Sequence, residues 1–374
     1  MVNQMIGICI EASHQRGMGH LFRAINLITY LREQGEDYIL FCNDDTSAKK
    51  VLDENGVTYE TVDLSDTDSN WEKDRIRKHG ITIWLNDRLD TGFETAQHVV
   101  DAGIPLFTID DMGEGASLAD GNFASLVFED VAKIPGKHVF AGPGYLILNQ
   151  EIAQYKRERT GIRKILVTLG GSDTYGVTLQ VVRSLKRILP ACLRTEESQT
   201  AGNRNAKREN DRLIDVSVLL GPGAVIYEKV REELKLSDIE SKEEENASLT
   251  DTGVRFELVV GVPSLMAYFA DFDLAITGGG VTPMEAAASG LPTVVIANER
   301  HEIAIGRFLE AKGCSAFAGY YKELNEDVIR DLLKHPERIK EMSIQGTRSV
   351  TLEGCAHVYE EMKRFHDTGK ETGR

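Results

Sequence analysis

The chain has 374 residues, 41% of them hydrophobic and 27% charged, with a formal net charge of −16. That composition excludes wholesale disorder and leaves apolar material for two cores. The acidic balance argues against a general nucleic-acid binder but not against a nucleotide ligand, because backbone N–H groups at a helix start can hold one diphosphate.

Met5–Ile10 reads as a strand. It lacks the basic start and small-residue cleavage site of a signal peptide. Gly19–Gln34 has helical spacing, and Asp37–Cys42 reads as the next strand. Ile81–Leu85, Pro105–Ile109 and Ser125–Phe128 read as short buried strands, and Thr91–Ala102 has helical spacing. The pattern breaks over Gly142–Gly161, where Gly-Pro-Gly precedes the charged stretch Gln154–Arg163. The domain boundary is placed there, giving domains 1–150 and 151–374.

The second half restarts with strand Lys164–Leu169, helix Val177–Ile188 and strands Asp215–Leu220 and Phe256–Gly261. Helix Ser264–Phe269, strand Leu274–Thr277, helix Pro283–Ser289 and strand Thr293–Ala297 follow, then helices Ile303–Lys312 and Asn325–Lys334. Two polar stretches, Thr195–Arg212 and Ser237–Gly253, lack apolar periodicity and read as surface excursions or mobile loops. His366–Arg374 reads as frayed. Strand–helix alternation of this kind predicts an α/β fold of two doubly wound, Rossmann-like domains facing a cleft.

No apolar run reaches the roughly 18 residues of a membrane span. Cys9, Cys42, Cys192, Cys314 and Cys355 are scattered without CxxC spacing, which fits a reducing cytoplasm and offers no zinc site.

Four motifs follow predicted strands, where ligands bind in open α/β sheets. In the first, Gly17-Met18-Gly19-His20, the glycines bring backbone close to a ligand and the helix start offers N–H groups to an anion. His20 is either a general base or a histidine that caps or packs. Arg23, one turn on, is placed to pair with an acidic neighbour. The second, Gly170-Gly171-Ser172-Asp173, forms either an anion nest or an ordinary turn, with Asp173 as helix cap.

The third motif is Gly278-Gly279-Gly280-Val281-Thr282-Pro283-Met284-Glu285. Glu285 is placed either to accept both ribose hydroxyls or to complement the helix dipole. In the fourth, Asn298-Glu299-Arg300-His301-Glu302, Asn298 and His301 are candidates for sugar or phosphate contacts. Asp87 and the pair Asp110-Asp111 also end strands. They read either as sugar-binding carboxylates or as caps and turn formers.

Taken in order, GMGHLFR, IDDMGEGASLAD, GPGYLIL, ILVTLGGSD and DLAITGGGVTPMEAAASGLPTVVIANERHE resemble one family. It is the UDP-sugar hydrolases of pseudaminic acid biosynthesis, with the related spore-coat polysaccharide biosynthesis proteins. More distantly the chain resembles the GT-B peptidoglycan GlcNAc transferase. The resemblance implies a GT-B-like fold, UDP in the second domain, and no metal or other cofactor. Gly170, Gly171 and Ser172 would cradle the diphosphate, and Gly279, Gly280, Val281 and Thr282 would line the phosphate site. Glu285 would bind the ribose, and Val260–Val262 with Met266 would flank the base. Asp87, Asp111, Asn298 and His301 would lie on the sugar side, and His20 would activate the attacking water. A glycosyltransferase is the alternative. It would need an acceptor surface on the first domain, often apolar or basic, and no such patch is conspicuous in the sequence.

Overall fold

In the computed structural model the described residues are 4–12, 19–126, 130–170, 173, 175–200, 213–221, 224–236, 247–249, 253–262 and 264–371. Gly17, Gly171, Ser172 and most of the two polar stretches lie outside them. The chain divides into two units. The first is Met1–Gln150 with Thr351–Arg374, and the second is Glu151–Val350.

The first unit runs β1 (Met5–Ile10), α1 (Gly19–Glu33), β2 (Asp37–Cys42), α2 (Thr46–Glu54), β3 (Tyr59–Thr61), α3 (Trp71–His79) and β4 (Ile83–Asp87). It continues with α4 (Phe93–Asp101), β5 (Leu106–Ile109), β6 (Gly121–Ala124) and β7 (Val139–Ala141). The strands form a parallel sheet in the order β3-β2-β1-β4-β5-β6-β7. The order reverses between β1 and β4, whose carboxyl ends make the crevice where ligands bind in such sheets. α1 buries Leu21, Ala24, Ile25, Leu27, Ile28 and Leu31, a stripe at helical spacing. The strand predicted at 125–128 lies earlier, as β6, and Ser125 falls in the turn after it.

The C-terminal helix, Gly354–Glu371, was read with the second domain and with a frayed end. It belongs to the first unit. Cys355, Val358, Tyr359 and Met362 join the core of β1 and α1, and Phe365 meets Phe107 edge-on at 5.5 Å. His366 is buried, with Nδ1 3.0 Å from the Gln4 amide nitrogen. Burial by distant residues holds this end, which local polarity does not reveal. A Cβ on Gly354 would lie 2.0 Å from the Leu146 carbonyl oxygen. Gly354→Ala is therefore expected to cost about 3 kcal/mol and to expose the C-terminal helix to proteolysis. Unfolding in urea and limited digestion read this out, and a variant as stable as wild type contradicts it.

The second unit runs α5 (Ile152–Tyr155), β8 (Lys164–Thr168), α6 (Val177–Thr200), β9 (Ile214–Leu220), α7 (Tyr227–Leu234), β10 (Ala247–Leu249) and β11 (Val254–Val260). Then come α8 (Leu265–Phe269), β12 (Leu274–Thr277), α9 (Thr282–Ala288), β13 (Thr293–Ala297), α10 (Glu302–Ala311), β14 (Ser315–Tyr320), α11 (Glu326–Lys334) and α12 (Arg338–Ser349). Its sheet order is β10-β11-β9-β8-β12-β13-β14. The six parallel strands repeat the first unit's order, with the reversal between β8 and β12. Each unit is thus a Rossmann-like, doubly wound domain.

The described parts of both polar stretches are regular. α6 continues through Thr200, because Glu and Gln sustain a helix without apolar periodicity. β10 adds an antiparallel edge strand beside β11, pairing Ser248 with Phe256. Among the described residues no helix is long and apolar enough to cross a membrane.

Candidate functional site

In the first unit, α1 presents His20 and Arg23 to the ends of β4 and β5. His20 Nδ1 lies 2.6 Å from Asp87 Oδ1. Arg23 donates Nε to Asp87 Oδ2 at 2.7 Å and a terminal nitrogen to Asp87 Oδ1. Its other terminal nitrogen meets Asp110 Oδ2 at 2.5 Å. Asp110 takes φ +48°, a left-handed conformation that Asp tolerates, and also accepts from Ser125 Oγ at 3.0 Å.

Burial works to raise the Asp87 carboxyl. The adjacent Arg23 guanidinium, with hydrogen bonds from His20 and Arg23, outweighs it and holds the carboxyl below its usual range. An ionised Asp87 only accepts hydrogen bonds, so His20 Nδ1 carries a proton, and in the neutral imidazole Nε2 has the lone pair. The 3.3 Å approach of Arg23 to Nδ1 is then a contact between two donors.

Two sequence assignments are corrected here. Asp87 was placed on the sugar side, yet it is 1% exposed and both its oxygens serve His20 and Arg23. Asp111 was placed there too, but it is fully buried. It accepts from Thr91 N at 3.1 Å, from Gly113 N at 2.8 Å and from the Thr91 hydroxyl. It is a turn former that stitches two loops together. The same loops carry exposed apolar side chains. Leu89, Phe93 and Met112 are exposed large hydrophobics, and Met112 N donates to Leu89 O at 2.9 Å.

In the second unit, the loops after β8, β12 and β13 line a cavity of about 260 Å³ at the sheet reversal. Leu169, Gly170, Asp173 and Tyr175 come from the first loop. Gly278, Gly280 and Thr282 come from the second, and Asn298, Glu299 and Glu302 from the third. Gly170 has φ +106°, open to glycine. Asp173 caps α6, accepting from Val177 N at 2.9 Å and Thr178 N at 3.0 Å.

The three consecutive glycines differ in role. A Cβ on Gly278 would lie 2.8 Å from Asn298 Nδ2, and one on Gly279 would lie 2.6 Å from Glu302 Cβ. Glu302 Oε2 accepts from Gly279 N at 3.2 Å and Asn298 N at 2.6 Å. The Gly279 N–H is thus held by the protein's own carboxylate. Gly280 meets no atom that a Cβ would crowd and faces the cavity.

Asn298 Nδ2 donates to Leu169 O at 3.1 Å, tying two of the loops. His301 is exposed and lies outside the cavity lining. Val281 is half-buried at the start of α9. Val262 is half-buried and Met266 buried, both outside the lining. Tyr175 was missed by the sequence reading. Its hydroxyl donates to the Glu299 carboxylate, which pushes the phenol up to about 12. The only sequence signal was an aromatic just past the glycine turn.

Glu285 stands in the first turns of α9, and none of the described residues donates to its carboxylate. Burial pushes that carboxyl up to about 7. Such a group lowers folded-state stability as pH rises from 4.5 to 7, because the unfolded chain ionises first. Glu285→Gln is therefore expected to exceed wild type by about 1–3 kcal/mol at about pH 8 and to match it below about pH 4. Urea titrations at the two pH values check this, and equal stability at the higher pH counts against it.

No protein-family profile matches the chain. It is 24% identical over 309 residues to an uncharacterised protein of Methanocaldococcus jannaschii, covering 78% of this chain and 55% of that one. The chain thus spans about half the length of that relative. It is 20% identical over 323 residues to the spore coat polysaccharide biosynthesis protein SpsG of Bacillus subtilis, covering 84% and 83% of the two. Among solved structures, MurG of Acinetobacter baumannii superposes with TM-score 0.63 at 13% identity, over 96% of this chain and 99% of that one. UDP-GlcNAc 2-epimerase of Neisseria meningitidis, bound to UDP-GlcNAc, gives 0.58 at 12% identity, over 96% and 100%. The likeness to these solved structures shows the fold, GT-B.

Proposed function

We propose that the chain hydrolyses a UDP-linked 2,4-diacetamido-2,4,6-trideoxyhexose to free sugar and UDP, in the synthesis of a nonulosonic acid or surface polysaccharide. The observation that carries this reading is the His20–Asp87 pair, which leaves Nε2 as a base at a sheet reversal. Nε2 takes a proton from water, and the water oxygen bonds to the anomeric carbon. The bond from that carbon to the β-phosphate oxygen breaks, and its electron pair leaves with UDP.

The second unit contributes the nucleotide site in this reading. Gly170 and its neighbours, with Gly280, Val281 and Thr282, receive the diphosphate, and Glu285 accepts the ribose hydroxyls. The similarity to SpsG supports a role in polysaccharide synthesis. The glycosyltransferases and the UDP-sugar epimerase that share the fold support a nucleotide-sugar substrate. Glu285→Gln is expected to weaken UDP binding by roughly tenfold or more, through loss of a charged hydrogen bond.

The exposed loop residues Leu89, Phe93 and Met112 favour a second reading, in which an acceptor hydroxyl replaces water. Phosphorus NMR of the protein with UDP-2,4-diacetamido-2,4,6-trideoxy-altrose and no acceptor separates the two. Steady UDP release supports hydrolysis. An intact substrate alongside measurable UDP binding favours transfer.

A further inference from the structure

Beside the glycine-rich cavity, and sharing Tyr175 with it, lies a groove of about 550 Å³. One wall is the first turns of α6, with Gln180, Arg183 and Arg187 at helical spacing. The other wall is Tyr321 and Lys322, just after β14. In a chain of net charge −16, three cations converge here against one lining acid, Glu326. The rings of Tyr175 and Tyr321 stack at 4.8 Å with 22° between their planes, and the Lys322 ammonium lies 5.6 Å from the Tyr321 ring centre.

The guanidiniums are not used up. Arg183 holds Glu233 through Nε at 2.8 Å, and Arg187 holds Glu326 through one terminal nitrogen. Both arginines are more than half exposed, so those pairs are weak and exchangeable. Each planar fork keeps further donors matched to a carboxylate or phosphate. An aromatic face beside such forks suits a ring that carries an anionic group.

We propose that this groove is a second binding site, separate from the glycine-rich cavity, for an anionic saccharide. The acid engages Arg183 and Arg187, and the sugar ring lies against the tyrosine pair. A uronic acid and a sugar phosphate share this chemistry.

The test is calorimetric titration of the full chain with glucuronic acid and with glucose 6-phosphate, in the presence of saturating UDP. Glucose and inorganic phosphate serve as controls. UDP is titrated separately, so a failure of the glycine-rich cavity is read apart from a failure of the groove. One or both anionic sugars are expected to saturate a single site, and whichever binds names the preferred acid. Glucose is expected not to bind. Arg183→Gln/Arg187→Gln is expected to weaken binding at least about tenfold, with UDP affinity and thermal unfolding unchanged. Tyr321→Ala is expected to weaken it as well. The proposal is overturned if neither sugar binds, if UDP displaces both, or if the double variant binds like wild type. It is also overturned if inorganic phosphate binds as tightly as glucose 6-phosphate and Tyr321→Ala changes nothing, since that describes a bare anion site.

Discussion

Turnover of the UDP-sugar is expected to fall by about 10²–10⁴-fold in His20→Ala, with UDP affinity nearly unchanged, because the general base alone is lost. Asp87→Asn is expected to fall nearly as far, and the hydrogen bonds say why. Asp87 Oδ1 accepts from both His20 and Arg23, and Oδ2 from Arg23 Nε, so an asparagine sets its NH₂ against a donor whichever way it turns. With the NH₂ towards His20, Nδ1 is forced to accept, the proton sits on Nε2, and the lone pair that takes the water proton disappears. With the oxygen towards His20 the tautomer is kept, but the negative charge that stabilises the imidazolium is lost. A purely structural Asp87 would lower stability and leave kcat of the folded fraction intact. Measuring kcat beside thermal unfolding separates the cases. Near-wild-type kcat in Asp87→Asn would remove the dyad from the mechanism.

The second large effect is on folding. Arg159 is fully buried, and its guanidinium meets no carboxylate among the described residues. It donates to the carbonyls of Arg157 at 2.8 Å, Phe269 at 2.9 Å, Phe272 at 3.2 Å and Ser289. Two of these carbonyls close the ends of α8 and α9, where helix dipoles attract a cation. Burial, with Arg157 nearby, lowers the guanidinium to about 9. Arg159→Met leaves four buried acceptors without that donor and is expected to cost about 3–5 kcal/mol. Arg159→Lys is expected to recover only part, since an ammonium lacks the planar fork. Urea unfolding tests both, and a loss below about 0.5 kcal/mol for Arg159→Met would show that the helix ends find other partners.

Arg159 also shows where the sequence was opaque. Its neighbourhood, Gln154–Arg163, reads as a charged linker, yet Arg157 and Arg159 pin the strand-side ends of the second unit's helices. A buried cation satisfied by backbone carbonyls leaves no pattern of partner residues to read. The C-terminal helix was misassigned for a related reason, since its partners lie more than 200 residues away in sequence. The central parallel strands were legible because strands buried on both faces are written as short apolar runs, as in β12 and β13, whereas the edge strands β3, β7 and β14 were not read. His20 was legible from its place after a strand and two glycines. Asp87 was visible as a strand-end carboxylate, but its role was not. Only the three-dimensional path of Arg23 shows that its oxygens are already engaged. Gly279 likewise looked like part of a phosphate loop until Glu302 was found on its N–H.

The most direct measurement of the central claim is turnover of the UDP-sugar in ¹⁸O-water, with mass spectrometry of the released UDP and of the sugar at short times. Hydrolysis at the anomeric carbon places ¹⁸O in the free sugar and none in UDP, and His20→Ala slows the release by about 10²–10⁴-fold. Label in the UDP β-phosphate would mean attack at phosphorus, and unchanged release by His20→Ala would mean a different base. Either result would contradict the account.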